Sequence, residues 1–227
     1  IDNFNLSDGK DFQKYAIGLK EVWEILEENF SEGLVEHSMG WPLSDGTNGG
    51  SFLYHFDNNL VSIGYVIHLN YTNPYASPFD EFQQFKTHPS VKKILKGGKR
   101  LSYGARAITT GGYQSVPKLN FPGGALIGCS AGFLNYPKIK GTHNAMESGM
   151  LAAEAIIEKK INQDESNDLE NYQLKYEKSR IFKELKKVRN VKPYQSRYGP
   201  LLGTFLSGFD MWLSTFGITM PFTLGHN

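Results

Sequence analysis

The sequence predicts an α+β fold: an antiparallel sheet carrying helices, then a strand–loop–helix, then an amphipathic helix near the C-terminus. Three observations carry this. Apolar residues alternate through much of residues 15–69, the period of half-buried strands. Helix start and stop residues gather after Ser77. In the second half a Gly-rich loop divides a short apolar run from a long helical pattern.

Each element follows from its residues. Tyr15, Ile17, Leu19 and Val22 with Trp23 form a mostly alternating strand that ends in a Glu-rich patch. Residues 34–41 form a second strand, stopped by Pro42. Residues 51–56 and 60–69 are two more, and Asp57-Asn58-Asn59 between them is a hairpin signal. A curved antiparallel sheet accounts for all four. Ser77-Pro78-Phe79-Asp80-Glu81 then reads as an N-cap, a first-turn proline and acidic first-turn residues. Phe79, Phe82 and Phe85 recur behind it. Pro89 opens a second short helix through Val91, Ile94 and Leu95, and Gly97-Gly98 ends it. Residues 100–108 read as another strand, and 110–122 as a Gly- and Pro-punctuated loop.

The run 124–129 reads as a short buried strand. Residues 141–161 are helical, with Ala145, Met146, Gly149, Leu151, Ala152, Ala155 and Ile156 expected on one face and Gly149 allowing close packing on a sheet. A polar loop at 162–167 precedes a single charged helix over 169–188, its apolar positions including Leu174, Ile181, Phe182 and Leu185. In 198–222, Leu202, Phe205, Leu206, Phe209, Leu213 and Phe216 fall on one helical face. Gly203, Ser207, Asp210, Ser214 and Gly217 fall on the other, with Asp210 expected in water.

Composition bounds the function. The chain has 227 residues, 40% hydrophobic and 13% aromatic, which suits a packed core. Its 24 Lys plus Arg nearly cancel its 23 Asp plus Glu, so no basic nucleic-acid surface is indicated. The one cysteine, Cys129, excludes an internal disulfide framework and any multi-cysteine metal site, and it reads as a buried structural thiol. None of the six histidines pairs at a metal-ligand spacing, no Ser-His-Asp arrangement emerges, and no catalytic side chain is assigned. No apolar run of about 18 residues is present, so a spanning helix is not expected. The chain begins at Ile1 without a signal-peptide order, which suggests a fragment or a processed chain.

Three features invite a functional reading, each beside a plainer one. The stretch Gly124 to Met150 joins an apolar run, a Gly-rich loop and a helix opening at Gly141-Thr142. A helix N-terminus holds a phosphate or the negative charge of a reduced flavin ring. The same residues also describe an ordinary crossover. His143 in this turn is a second candidate for cofactor contact. Gly49-Gly50, in the run 45–51, lets backbone with free carbonyls approach a flat ligand, or serves a turn that needs positive φ. The C-terminal helix, flanked by Lys192 and Arg197 and bearing Trp212, fits the membrane interface or the domain core.

A resemblance decides among these. Gly40-Trp41-Pro42-Leu43, Gly49-Gly50-Ser51-Phe52-Leu53-Tyr54-His55, Asn73-Pro74-Tyr75, Ser77-Pro78-Phe79 and Glu81-Phe82-Gln83 occur in one order. Gly97-Gly98-Lys99-Arg100, Tyr103-Gly104-Ala105-Arg106-Ala107, Pro117-Lys118-Leu119, Phe121-Pro122-Gly123-Gly124 and the stretch 128–149 follow. This succession closely resembles the electron transfer flavoprotein–ubiquinone oxidoreductase family, from about Tyr15 to Leu224.

The resemblance implies an enzyme: a membrane-surface flavoprotein passing electrons from reduced electron transfer flavoprotein to ubiquinone. It implies a quinone-binding domain at 1–108, an FAD-closing segment with helices at 109–190 and a membrane-associating segment at 191–227. Gly49 and Gly50 match the quinone-contacting glycines, whose carbonyls hold the head group. Gly128, Asn135, Gly141 and Thr142 are the expected FAD contacts. Leu202, Phe205, Phe209, Trp212 and Phe216 are the expected lipid contacts. The implied location is the matrix side of the mitochondrial inner membrane or the cytoplasmic side of a bacterial plasma membrane.

Two departures stand out. The Gly-x-Gly-x-x-Gly turn that cradles the FAD pyrophosphate is not in this sequence. The family's iron–sulfur cluster needs four thiolates, and only Cys129 is here. The chain therefore resembles the middle of the family protein. A prenyl-lipid flavin reductase and a non-catalytic membrane-surface module are the other readings. The Gly49-Gly50 context and residues 97–107 argue against the reductase.

Overall fold

The computed structural model describes residues 1–44, 46–199 and 201–226; Asp45, in the run that contains Gly49-Gly50, Pro200 and Asn227 lie outside the described residues. The chain divides into two compact units, Tyr15–Ile108 and Ile1–Lys14 with Thr109–Asn227. The fold is mixed α and β with an antiparallel sheet, as the sequence predicts.

In the first unit, β1 (Tyr15–Glu24), β2 (Val35–Met39), β3 (Gly49–Phe56) and β4 (Leu60–His68) precede α1 (Pro78–Phe85), α2 (Pro89–Leu95) and β5 (Lys99–Thr109). The strands form one sheet in the order β2-β3-β4-β1-β5. β3 and β4 are the predicted hairpin, with Phe56 opposite Leu60 and Asp57 and Asn59 at positive φ. β4 is central, so Val61, Ile63, Tyr65 and Ile67 are all buried. They pack with Phe82 and Phe85 of α1 and Val91 and Leu95 of α2. The α1 cap is real: Ser77 Oγ accepts from Asp80 N at 3.3 Å, and Pro78 occupies the first turn. Gly97, at φ 76, follows α2 where a left-handed residue is needed.

Among the described residues, one charged side chain is buried in this unit. Glu21 on β1 is 2% exposed. It accepts from Lys86 Nζ at 2.9 Å, Arg100 Nη1 at 3.3 Å and Trp23 Nε1 at 2.7 Å. The carboxylate thereby ties the end of α1 and strand β5 to β1. A buried charge survives only with such partners.

The second unit contains β6 (Asn120–Phe121), β7 (Gly124–Ala125), α3 (Thr142–Ile161), α4 (Glu170–Lys178), α5 (Arg180–Lys187) and α6 (Val191–Thr215). Its core gathers Leu119, Phe133, Ala152, Ala155, Tyr172, Tyr176, Ile181 and Leu185.

Seven expectations need correction here. The buried strand over 124–129 is only the two-residue β7, after which Gly128–Ala131 winds into a 3-10 turn. Ile127 is exposed and Cys129 only half-buried, with its Sγ 3.5 Å from Thr109 Oγ1. The single helix over 169–188 is two helices. Ser179, in extended conformation, donates to the Tyr176 carbonyl at 2.6 Å and accepts from Phe182 N at 3.3 Å, ending α4 and capping α5 at once. Leu174, expected in the core, is exposed.

The other corrections concern faces. α3 buries Asn144, Ser148, Ala152 and Ala155, while Met146 and Ile156 point outward. A Cβ added to Gly149 would meet nothing within 4 Å, so that glycine serves no close packing. α6 is inverted relative to expectation: Asp210 is 6% exposed, and Gly203, Ser207 and Ser214 are buried with it.

The cause of the inversion is a turn at Gly199, whose φ of 74° and ψ of 178° break the helix. Ser207 Oγ donates back to the Val191 carbonyl at 3.3 Å, and Asp210 Oδ2 accepts from Asn190 Nδ2 at 3.3 Å. A Cβ on Gly203 would lie 2.6 Å from both the Tyr194 carbonyl oxygen and Gln195 Cα. The pairs 195/203, 191/207 and 190/210 run in opposite directions, so α6 is a helical hairpin. Its two arms touch through backbone, which admits only small residues at the seam.

Candidate functional site

Gly49 and Gly50 open β3 in the first unit. Neither has positive φ, so close approach, not turn geometry, accounts for them. Gly50 pairs with Met39 on one side and Val66 on the other. A Cβ there would land on the Ser38 carbonyl oxygen. At Gly49 it would strike the Leu43 side chain and sit 2.8 Å from the Val66 carbonyl oxygen. The expectation that these carbonyls are free needs correction: Gly49 O accepts from Gly40 N at 3.2 Å, leaving it one lone pair.

The loop before Gly49 is pinned from beneath. Tyr65 is fully buried, and its hydroxyl donates to Gly40 O at 2.7 Å and Trp41 O at 3.1 Å. Burial pushes that hydroxyl far above the ordinary tyrosine range, so it stays a donor. Beside Gly49, Leu43 and Ile67 line a pocket of about 40 Å³. That space suits a water molecule rather than a quinone ring.

The predicted flavin loop lies in the second unit. Gly128 has φ 56°, and its N–H donates to Ser148 Oγ at 3.0 Å. A Cβ on it would lie 3.1 Å from Ala145 Cβ, so the loop runs close over the first turns of α3. Gly141 is the N-cap of α3, with no side chain closing that end, and Thr142 is exposed beside it. The first N–H groups of α3 are thus open to an acceptor.

Asn135 is fully buried and bridges Lys140 through paired backbone bonds of 2.9 and 3.3 Å. Its Oδ1 accepts from Lys138 N at 3.2 Å, and its Nδ2 donates to Glu184 Oε1 at 2.6 Å. Its side chain therefore holds the loop closed. His143 also faces Glu184, with Nε2 3.1 and 3.3 Å from the two carboxylate oxygens. An ionised carboxylate only accepts, so Nε2 carries the proton.

The lipid candidates form one stripe on the second arm of α6. Leu202, Phe205, Phe209, Trp212 and Phe216 are all exposed. Trp212 rests between Phe209 at 6.2 Å and Phe216 at 5.1 Å. Among the described residues no helix is long and apolar enough to cross a membrane.

Three functional-looking residues escape a sequence reading. Glu184 and Arg189 lie in a charged stretch that reads as solvated surface. Arg189 instead holds the C-terminal segment, donating to Met220 O at 2.6 Å and Thr223 Oγ1 at 2.9 Å. Glu21 carries no sequence signal, since it sits between Lys20 and Glu24 in a strand that ends in a Glu-rich patch.

Comparison with known proteins defines the family. Residues 15–108 match the family model described as "ETF-QO, ubiquinone-binding". A relative from Oryza sativa subsp. japonica, named electron transfer flavoprotein-ubiquinone oxidoreductase, mitochondrial, is 52% identical over 94% of this chain. The chain belongs to the electron transfer flavoprotein–ubiquinone oxidoreductase family. A Saccharomyces cerevisiae relative with the name "Probable electron transfer flavoprotein-ubiquinone oxidoreductase, mitochondrial" is 46% identical over 92% of the chain. A Pseudomonas aeruginosa relative of the same family name is 49% identical over 99%. The chain spans only 36–40% of the length of these curated relatives.

Solved structures agree on the fold. A geranylgeranyl bacteriochlorophyll reductase-like protein from Thermoplasma acidophilum superposes with TM-score 0.54, covering 73% of this chain and 38% of that one, at 19% identity. The flavin-dependent brominase Bmp2 gives 0.51 at 18% identity, covering 91% and 49%. At such identities the likeness concerns the fold alone.

Proposed function

We propose that this chain is the quinone-contacting unit and flavin-closing segment of a membrane-surface oxidoreductase. The enzyme passes electrons from reduced electron transfer flavoprotein to ubiquinone. The observation that carries the reading is identity of 46–52% across nearly the whole chain to relatives with that name, together with the ubiquinone-binding match at 15–108.

In this reading residues 1–108 serve quinone, 109–190 close around FAD and 191–227 meet lipid. Gly49 and Gly50 let backbone lie flat against the quinone ring, and Tyr65 fixes the loop above them. Leu43, whose side chain fills the space beside Gly49, must move to widen the small pocket. FAD, when bound, supplies the redox chemistry. The open N-terminus of α3 at Gly141 and Thr142 fits an electron-rich ring edge, and Gly128 fits a close backbone approach. Asn144 adds a fully buried Oδ1 that lacks a partner. Asn135 acts by closing the loop. An iron–sulfur cluster needs thiolates other than Cys129, supplied elsewhere in the longer protein.

The exposed α6 stripe supports contact with the lipid surface that holds ubiquinone. Relatives named mitochondrial support a mitochondrial location; in this reading the enzyme works at the matrix side of the inner membrane, or at the cytoplasmic side of a bacterial plasma membrane. The test uses the full-length protein containing this segment. Reduced electron transfer flavoprotein drives quinone reduction while FAD and iron–sulfur content are determined on the same sample. Turnover with both cofactors is expected. A folded, flavin-loaded protein that does not reduce quinone overturns the proposal.

A further inference from the structure

Three polar groups of one short segment converge on a single carboxylate from a distant helix. Asn135 Nδ2, Lys138 Nζ and His143 Nε2 reach Glu184 Oε1 at 2.6, 3.4 and 3.1 Å. They come from the two ends and the middle of the loop that leads into α3. Glu184 comes from α5, more than forty positions later in the chain. Its side chain is only 14% exposed, whereas Lys138 is 60% exposed. Within itself the loop is closed by the Asn135–Lys140 bridge and by bonds from Lys138 N to Asn135 Oδ1 and Ile139 N to Tyr136 O, and Tyr136 Oη ties it to Gln195 at 2.7 Å.

We propose that Glu184 is a positioning residue: it buckles residues 135–143 to α5 and so fixes where the open N-terminus of α3 points. The proposal rests on the reading that the loop closes around FAD. A buckle is needed because the N-cap is Gly141, which has no side chain to close the helix end. A glycine cap leaves the first turn free to fray, while its N–H groups must be held in one direction to serve a ligand. Glu184 supplies the restraint from outside, through Asn135 before the turn and His143 inside it. Burial alone would raise the Glu184 carboxyl. The bonds from Asn135 and His143 and the Lys138 charge outweigh that and hold it below the ordinary carboxylate range. It therefore stays ionised at neutral pH and can accept from all three at once.

The test compares Glu184→Ala and Glu184→Gln with the unaltered full-length protein. Hydrogen exchange of the 135–145 amides reads the buckle directly. FAD affinity and the visible spectrum and midpoint potential of bound flavin read its consequence. Glu184→Ala is expected to speed loop exchange and weaken FAD binding roughly tenfold each, and to shift the flavin potential. Glu184→Gln keeps an acceptor for Asn135 and should restore most of the FAD affinity. Should Glu184→Ala not fold, Glu184→Gln and His143→Gln carry the test, each giving a smaller rise in exchange. Unchanged exchange in all variants overturns the buckle. Faster exchange with unaltered FAD affinity and spectrum overturns the flavin role, and with it the assignment of this loop, while leaving the quinone reading intact.

Discussion

Two glycines five positions apart on the second arm of α6 should respond to the same substitution with opposite signs. Gly203 faces the first arm, where an added Cβ would lie 2.6 Å from Tyr194 O and Gln195 Cα. Both are backbone atoms, so no side chain can swing aside. Relief requires parting the arms, and overpacking of this kind costs about 1–3 kcal/mol. Alanine's better helix propensity returns about 1 kcal/mol, for a net loss of up to about 2 kcal/mol. Gly208 is exposed, and a Cβ there meets nothing within 4 Å. Gly208→Ala should therefore keep most of the propensity gain of about 0.5–1 kcal/mol. Hydrogen exchange of the 191–215 amides measures both. Protection should fall by up to roughly 30-fold in Gly203→Ala and rise up to about fivefold in Gly208→Ala. If both substitutions raise protection, the arms do not touch through backbone and the hairpin is refuted.

Three further outcomes follow from the same geometry. Phe205 is 70% exposed, so burying it in lipid is worth about 1–2 kcal/mol; Phe205→Ser should weaken binding to phospholipid vesicles roughly 5–30-fold and leave unfolding almost unchanged. Equal losses in stability and binding would show that the stripe packs against protein. Leu43→Trp fills the pocket beside Gly49 and should raise KM for quinone at least several-fold while flavin reduction by electron transfer flavoprotein continues; an unaltered KM would remove that pocket from the quinone path. Gly50→Ala is a poor probe of the same role, because its Cβ collides with β2 and lowers stability whether or not quinone binds there. The Glu184 carboxyl is held low in the folded state, so its contribution is fully present above the ordinary carboxylate range and is lost as pH falls through the lowered value. The opening equilibrium of the 135–145 loop, read from amide exchange corrected for its intrinsic pH dependence, should be level near neutrality and rise in acid, and Glu184→Gln should abolish that rise. A rise that persists in Glu184→Gln would assign it to another group.

The sheet was legible because its information is local. Alternation sets the face of each residue, Asp57 and Asn59 accept positive φ at the hairpin, and Ser77 with Pro78 marks a helix start with its own atoms. The break at Ser179 was not legible, since the charged pattern runs through it unchanged and only the serine's two bonds reveal the end of one helix and the start of the next. Glu21, Glu184 and Arg189 were hidden for a different reason. Each matters through partners 31 to 79 positions away, and one-dimensional periodicity carries no such distance. For the candidate site, the residue types at Gly49, Gly50 and Gly141 were readable. The engagement of the Gly49 carbonyl and of the Asn135 side chain was not, because hydrogen-bond partners are settled by the fold.

The inverted face of α6 has a physical cause. Amphipathicity separates large apolar from small polar residues around a helix, but it does not say which side is wet. The usual inference sends the large residues inward because apolar burial dominates. It fails where the neighbour is backbone at close range. There large apolar side chains do not fit, so Gly203, Ser207 and Ser214 turn inward with Asp210, and Phe205, Phe209 and Trp212 are displaced outward. Polar atoms at such a seam must be satisfied internally, as Ser207 is by Gly203 O at 2.6 Å and Asp210 by Asn190. In α6 the hairpin is thus held by its seam, independently of whatever covers its aromatic stripe. A helix that folded only on lipid would lose its structure when the stripe was altered. This one should keep its structure, which is why the seam substitutions and the stripe substitutions are expected to separate stability from lipid binding.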